Sequence, residues 1–110
     1  MSIKFKEGVD VTGIKKETIA AMARVSCYFY IFHCEREMVV TSVSDGKHKE
    51  NSKHYTGEAF DIRTWTTPIS GVQVNNGTKA MYVHDIKSVL GDDFDVIAEK
   101  THIHIEYDPK

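Results

Sequence analysis

The sequence predicts an α+β fold, a small antiparallel sheet with two main helices packed against it, and three observations predict this class. Ala59-Phe60-Asp61-Ile62 and His102-Ile103-His104-Ile105 alternate between polar and apolar, or small and large, with the period of two that a strand imposes. From Lys15 to about His33, apolar residues recur at spacings of three and four with nothing to break a helix. A second helical pattern, roughly Thr78 to Leu90, ends at Gly91, a residue that favours a helix C-terminus. The chain has 110 residues, 41% of them apolar and 27% charged, which suits one domain over 1–110 with room for one site.

The elements follow in order. Met1 to Glu7 is charged and short of apolar residues, so it reads as neither a secretory signal nor a membrane anchor. The longest apolar run, Cys27 to Phe32, is far too short to span a bilayer. A soluble, monomeric protein made in the cytoplasm is therefore expected. Thr18 or Thr12 is expected to cap the first helix, with Ile19, Met22, Ala23, Ser26, Phe29 or Tyr30, and His33 on its repeating face. Cys27 and Cys34 lie seven residues apart, about 10 Å along a helix axis, too far for a disulfide within it. They are expected as buried or partly buried thiols.

Met38 to Ser42 reads as a buried strand that enters a polar loop, Val43 to Lys53, of the kind that carries substrate contacts. Beyond Asp61, Arg63 shares its face if the alternation persists, and Trp65 is either a core anchor or a wall of a cleft. Asn75-Asn76-Gly77-Thr78 is a turn into the second helix, whose expected buried set is Tyr82, Ile86, Val89 and Leu90, with His84 and Asp85 structural or solvated. Asp92-Asp93 is a turn, Phe94 to Ala98 a strand, and Glu99-Lys100-Thr101 a short connection to a partner strand ending near Tyr107.

Charge removes one class of function. The net charge is −2 with histidines neutral, and no run of lysine or arginine offers a basic surface to nucleic acid.

The chemistry gathers in two stretches. On a strand, His102 and His104 share one face while Ile103 and Ile105 point into the core. Gly57 lets the chain bend ahead of the Ala59 strand, so His54 folds back towards Asp61. Two adjacent strands then bring His54, Asp61 and His104 to one metal ion, and two histidines with a carboxylate are the ligand set of a catalytic zinc that keeps a position open for water. By spacing alone, His102 and His104 can also chelate together, or form only a polar sheet face. Glu99, at the end of one strand beside the start of the next, leans over such a site as its general base. Ser52 serves better to tighten the loop around His54 than as a nucleophile.

Ser52-x-His54-x-x-Gly57-x-Ala59-x-Asp61, followed by Glu99-x-x-His102-x-His104, resembles the paired signature of the LAS zinc peptidases. That group includes D-alanyl-D-alanine carboxypeptidases, phage endolysin peptidases and the hedgehog signalling domain. The resemblance covers the two motifs and the order of elements from Val39 to Tyr107. It implies that Zn2+ is held by His54, Asp61 and His104, with His102 beside the reaction centre as an oxyanion stabiliser or proton donor and Glu99 as the base. It also implies a substrate, the stem peptide of bacterial peptidoglycan, cut at bonds that involve D-amino acids by a phage or prophage enzyme acting at the cell wall once released. In one respect the chain departs from the group: where an arginine often stands near the substrate, this loop has Val43-Ser44-Asp45-Gly46-Lys47-His48. His48, Arg63 and Ser52 are the candidate substrate contacts, and Lys47 or His48 is the candidate replacement for the arginine. The other reading is a catalytically silent zinc-binding module that acts in recognition or in phage-particle structure.

Overall fold

Strand alternation sends Phe60, Ile62, Ile103 and Ile105 to one face of a sheet, and two helices bury that face. The computed structural model describes residues 3–34, 36–45, 52–64 and 73–109. Its elements are β1 (Ile3–Phe5), α1 (Lys16–Phe32), β2 (Met38–Ser42), β3 (Ala59–Arg63), α2 (Asn76–Leu90), β4 (Phe94–Ala98) and β5 (His102–Tyr107). Ala21, Met22, Val25, Tyr28 and Phe29 of α1 and Tyr82, Ile86 and Leu90 of α2 meet Val40, Phe60, Ile62, Val96, Ile103 and Ile105 in one core. Asp61, His102 and His104 alternate with these strand residues and so lie on the opposite face.

The fold is α+β, as expected, but its five-stranded sheet is mixed. The order is β1-β2-β3-β5-β4, with β1 parallel to β2 and every other pair antiparallel. A parallel pair needs a crossover, and α1 supplies one between β1 and β2. The three residues of β1 are too few to carry a strand signal of their own. Between β2 and β3 the register shifts, Val40 facing Ile62 but Ser42 facing Asp61, so Thr41 is one residue in excess. That bulge delivers the end of β2 to the Asp61 side of the sheet.

Four expectations about the helices and their cysteines are corrected. Lys15 occupies the N-cap of α1 without a side-chain bond, so neither Thr12 nor Thr18 caps it; the Thr18 hydroxyl instead donates to the Gly57 carbonyl at 2.7 Å. The buried face of α1 is Thr18, Ala21, Met22, Val25, Ser26, Tyr28 and Phe29, while Ile19 is exposed. Apolar residues nearly encircle this helix, so periodicity alone does not choose the inward stripe. Cys27 and Cys34, expected at least partly buried, are both exposed. On α2, Val89 is exposed, and Lys79 joins Tyr82, Ile86 and Leu90 in the buried set. Asn75 caps that helix, its side chain accepting from the Thr78 N–H at 2.8 Å.

Trp65, Lys47 and His48 lie outside the described residues. Among the described residues, no helix is long and apolar enough to cross a membrane.

Candidate metal centre

Three elements position three side chains. β3 and β5 are directly paired, with Asp61 opposite His104, so alternation sets a carboxylate and an imidazole side by side on the face away from the core. His54 comes from the loop ahead of β3. Its backbone N–H donates to the Ser52 hydroxyl at 3.2 Å, its carbonyl accepts from the Gly57 N–H at 3.2 Å, and Gly57 has φ +72°. A side chain at Gly57 is excluded twice, by that backbone angle and because its Cβ would stand 2.1 Å from the Gly13 carbonyl oxygen. The bend that turns His54 inward therefore depends on this glycine.

The converging atoms are His54 Nε2, Asp61 Oδ1 and His104 Nδ1. The separations are 3.2 Å from His54 to Asp61, 3.2 Å from His54 to His104 and 3.0 Å from His104 to Asp61. Ligands about 2.0–2.1 Å from a tetrahedral ion stand about 3.3 Å from one another, so the spacing suits a first-row divalent metal. His54 and Asp61 are buried and His104 is half-buried.

The protons on the two rings fix the sign of what belongs at the centre. The Val43 carbonyl, 2.6 Å from His54 Nδ1, has only lone pairs to offer, so that nitrogen carries the proton and donates. The Glu106 carboxylate, 2.8 Å from His104 Nε2, likewise accepts from the far nitrogen of His104. In the neutral rings, His54 Nε2 and His104 Nδ1 thus turn lone pairs towards each other and towards a carboxylate oxygen. Such a cluster requires positive charge among its members, as added protons or as a metal ion. The outward N–H bonds to a carbonyl and a carboxylate are the second layer of support that metal-binding histidines ordinarily have.

The electrostatics agree. Burial pushes the Asp61 carboxyl upward, but hydrogen bonds from His104 and His54, with charge on His54 and His102, outweigh it and hold the group well below the usual carboxylate range. Burial likewise pulls the His104 imidazole down, but hydrogen bonds to Asp61 and Glu106 prevail and raise it above its ordinary value. A metal-free centre therefore keeps an ionised Asp61 beside a readily protonated His104.

The other sequence-predicted residues fall at graded distances. His102 Nε2 lies 3.6 Å from Asp61 Oδ2, close enough to join the electrostatics of the centre but outside the converging set. Arg63 pairs with His102 across the strands, half-buried, its carbonyl accepting from the Arg36 guanidinium at 2.8 Å. Glu99 is exposed at the tip of the β4–β5 hairpin, and its N–H donates to the His102 carbonyl at 2.9 Å. Cross-strand alternation thereby sets Glu99 on the face that carries His102 and His104. The bond that Ser52 accepts from His54 is the loop-tightening role expected of it.

Sequence reasoning missed Glu106, although His102-x-His104-x-Glu106 puts all three on one strand face, which is a legible signal. Glu106 also lies with Asp95 and Asp108 in a half-buried acidic group whose oxygens are within 4.8 Å of one another. No family model and no curated protein matches the chain.

Proposed function

We propose that the chain is a zinc metallopeptidase that hydrolyses stem peptides of bacterial peptidoglycan, with His54, Asp61 and His104 as metal ligands. The observation that carries this reading is the triangle of His54 Nε2, Asp61 Oδ1 and His104 Nδ1, with sides of 3.0 to 3.2 Å. Two nitrogens and one carboxylate oxygen make a three-ligand set that leaves a fourth position for water or substrate. Bound zinc supplies Lewis acidity there and lowers the pKa of water to about 7.

The protein's own residues supply the rest. Glu99 takes a proton from the attacking water and delivers it to the departing amine nitrogen. His102, beside Asp61 and opposite Glu99, donates a hydrogen bond to the oxyanion that develops on the scissile carbonyl. Arg63 is the cation of this edge suited to a substrate carboxylate, as a bidentate guanidinium can be. Val43 and Glu106 keep the ligand histidines in the tautomers that the ion requires. The cell-wall substrate and the phage or prophage origin rest on the likeness of the two motifs to those of the LAS peptidases.

Purified peptidoglycan incubated with zinc-loaded protein, with chelated protein and with Glu99→Gln tests the reading, with new termini identified by mass spectrometry. New amino and carboxyl termini are expected only in the first. Stoichiometric zinc without any new terminus would favour the silent zinc-binding module. Failure to take up zinc after dialysis against it would overturn both.

A further inference from the structure

A lysine side chain seldom lies inside a protein, and Lys79 of α2 is only 7% exposed. Its ammonium donates to the Glu99 carbonyl at 2.8 Å and to the Lys100 carbonyl at 3.0 Å. These are consecutive backbone groups at the tip of the β4–β5 hairpin. Taking an ammonium out of water carries a heavy desolvation penalty, more than closing a turn of a kind that often frays would call for. The same tip is held from a second side by the Thr64 N–H, which reaches the Thr101 carbonyl at 3.4 Å. Its other boundary is the last ladder pair, Ala98 with Ile103.

The one carboxylate on this tip is Glu99. Its cross-strand neighbour is His102, whose ring reaches Asp61 at 3.6 Å. The bond to the Glu99 carbonyl fixes the peptide plane that follows the Glu99 Cα, the Glu99 N–H bond to the His102 carbonyl at 2.9 Å fixes the plane that precedes it, and the bond to the Lys100 carbonyl holds the next plane of the turn. We propose that Lys79 is a positioning residue for Glu99: by anchoring the hairpin tip to α2, it holds the general base at the edge of the metal centre. This rests on the role assigned to Glu99 above. Lys79 donates to none of the three metal ligands in the bonds described, so its removal leaves the converging triangle intact.

The test is a double-mutant cycle with Lys79→Met, Glu99→Gln and the pair combined, read by zinc content, thermal unfolding, and kcat and KM on a stem-peptide substrate. Lys79→Met should keep stoichiometric zinc and an unchanged KM while kcat falls by about tenfold to a hundredfold, the range a small misplacement of a reacting group produces. In the Glu99→Gln background the same substitution should cost nothing further, because the group it positions is gone. Hydrogen exchange at the Glu99 amide, which donates to the His102 carbonyl, should quicken in Lys79→Met, and Lys79→Arg should restore part of both protection and kcat.

An equal loss in the Glu99→Gln background, or an unaltered kcat in folded Lys79→Met, overturns the proposal. If Lys79→Met does not fold, Lys79→Arg alone carries the cycle, with a smaller loss that must again vanish beside Glu99→Gln. Wild-type protein that holds zinc and turns over no stem peptide overturns the peptidase reading itself, which is distinguishable from failure of Lys79 alone.

Discussion

The two ends of the β4–β5 hairpin are built to opposite standards. In its middle, His104 has β3 on one side and β4 on the other, with Asp61 and Ile97 as its direct cross-strand partners and both ring nitrogens engaged. At its tip, Glu99, Lys100 and Thr101 are exposed and the ladder has ended. Two of the three groups that would hold an ion, Asp61 and His104, are set in packed strands, where a side chain keeps its place whether or not an ion is bound. The group that would move a proton in the proposed reaction, Glu99, is exposed to solvent. Holding requires rigidity, whereas turnover requires access, and one hairpin separates the two by a few residues.

The largest effects should come from the packed end. His54→Ala, Asp61→Ala and His104→Ala should each abolish zinc retention, measured by elemental analysis after gel filtration. For Asp61→Ala, a further loss of about 3–5 kcal/mol in metal-free stability is expected, the cost of removing one partner from a buried charged pair. Stoichiometric zinc in any of the three would show that the triangle is not the metal site.

Next comes the tip. Glu99→Gln should retain zinc and lose about a hundredfold to ten-thousandfold in kcat, the contribution typical of general acid–base catalysis. Full turnover in that variant would remove Glu99 from the mechanism and erase the contrast between the two ends.

A smaller effect belongs to the support of the packed end. Glu106→Gln keeps an acceptor oxygen near His104 Nε2 but loses the charge, and metal affinity should fall about tenfold to a hundredfold in a chelator competition. Unchanged affinity would mean that the His104 to Glu106 bond is incidental.

The pH dependence of the metal-free protein follows from the two perturbed groups. Asp61 is held low, so its contribution to stability is present above the ordinary carboxylate range and is lost as pH falls through its depressed value. His104 is raised from 6.5, so its contribution is present below that value and is lost as pH rises through the raised one. Metal-free protein should therefore unfold at a lower temperature as pH is raised from 6.5 through the raised His104 value. Zinc needs His104 without its proton, so the rise in Tm on adding zinc should grow over the same interval. A zinc-induced rise independent of pH would contradict this linkage.

Much of this arrangement was legible in the sequence, and the particular failures have physical causes. β3 and β5 announce themselves through alternation, α2 through its helical period, the turn from Asn75 to Thr78 and the Gly91 stop, and the approach of His54 to Asp61 through Gly57; that Asn75 caps the helix, which starts at Asn76, is learned from the structure. The inward stripe of α1 was not legible, because apolar residues such as Ile19, Tyr30, Ile31 and Phe32 also stand on its exposed side. Nor was β1, whose three residues pair only because α1 returns the chain beside them. Lys79 was hidden for a different reason. A lysine at a helical position reads as solvated, and only the tertiary approach of two carbonyls makes burial tolerable there.

The smallest predicted effect concerns His54, the one member of the proposed ligand set that comes from a loop. His54 is placed by turn bonds and not by a ladder, so its seat should be softer than that of Asp61 or His104. Ser52 contributes one of those bonds, accepting from the His54 N–H at 3.2 Å in a half-buried setting. Ser52→Ala removes that acceptor, but the Val43 carbonyl still orients the ring, and the bond from the Gly57 N–H still closes the turn. A loss of about 0.5–1.5 kcal/mol in stability is expected, the net value of a single hydrogen bond, with zinc retained and kcat little altered. Denaturant unfolding and a chelator competition measure the two quantities. If Ser52→Ala instead abolished turnover with zinc in place, Ser52 would be acting on the substrate, and the loop would belong with the reactive tip rather than with the packed centre.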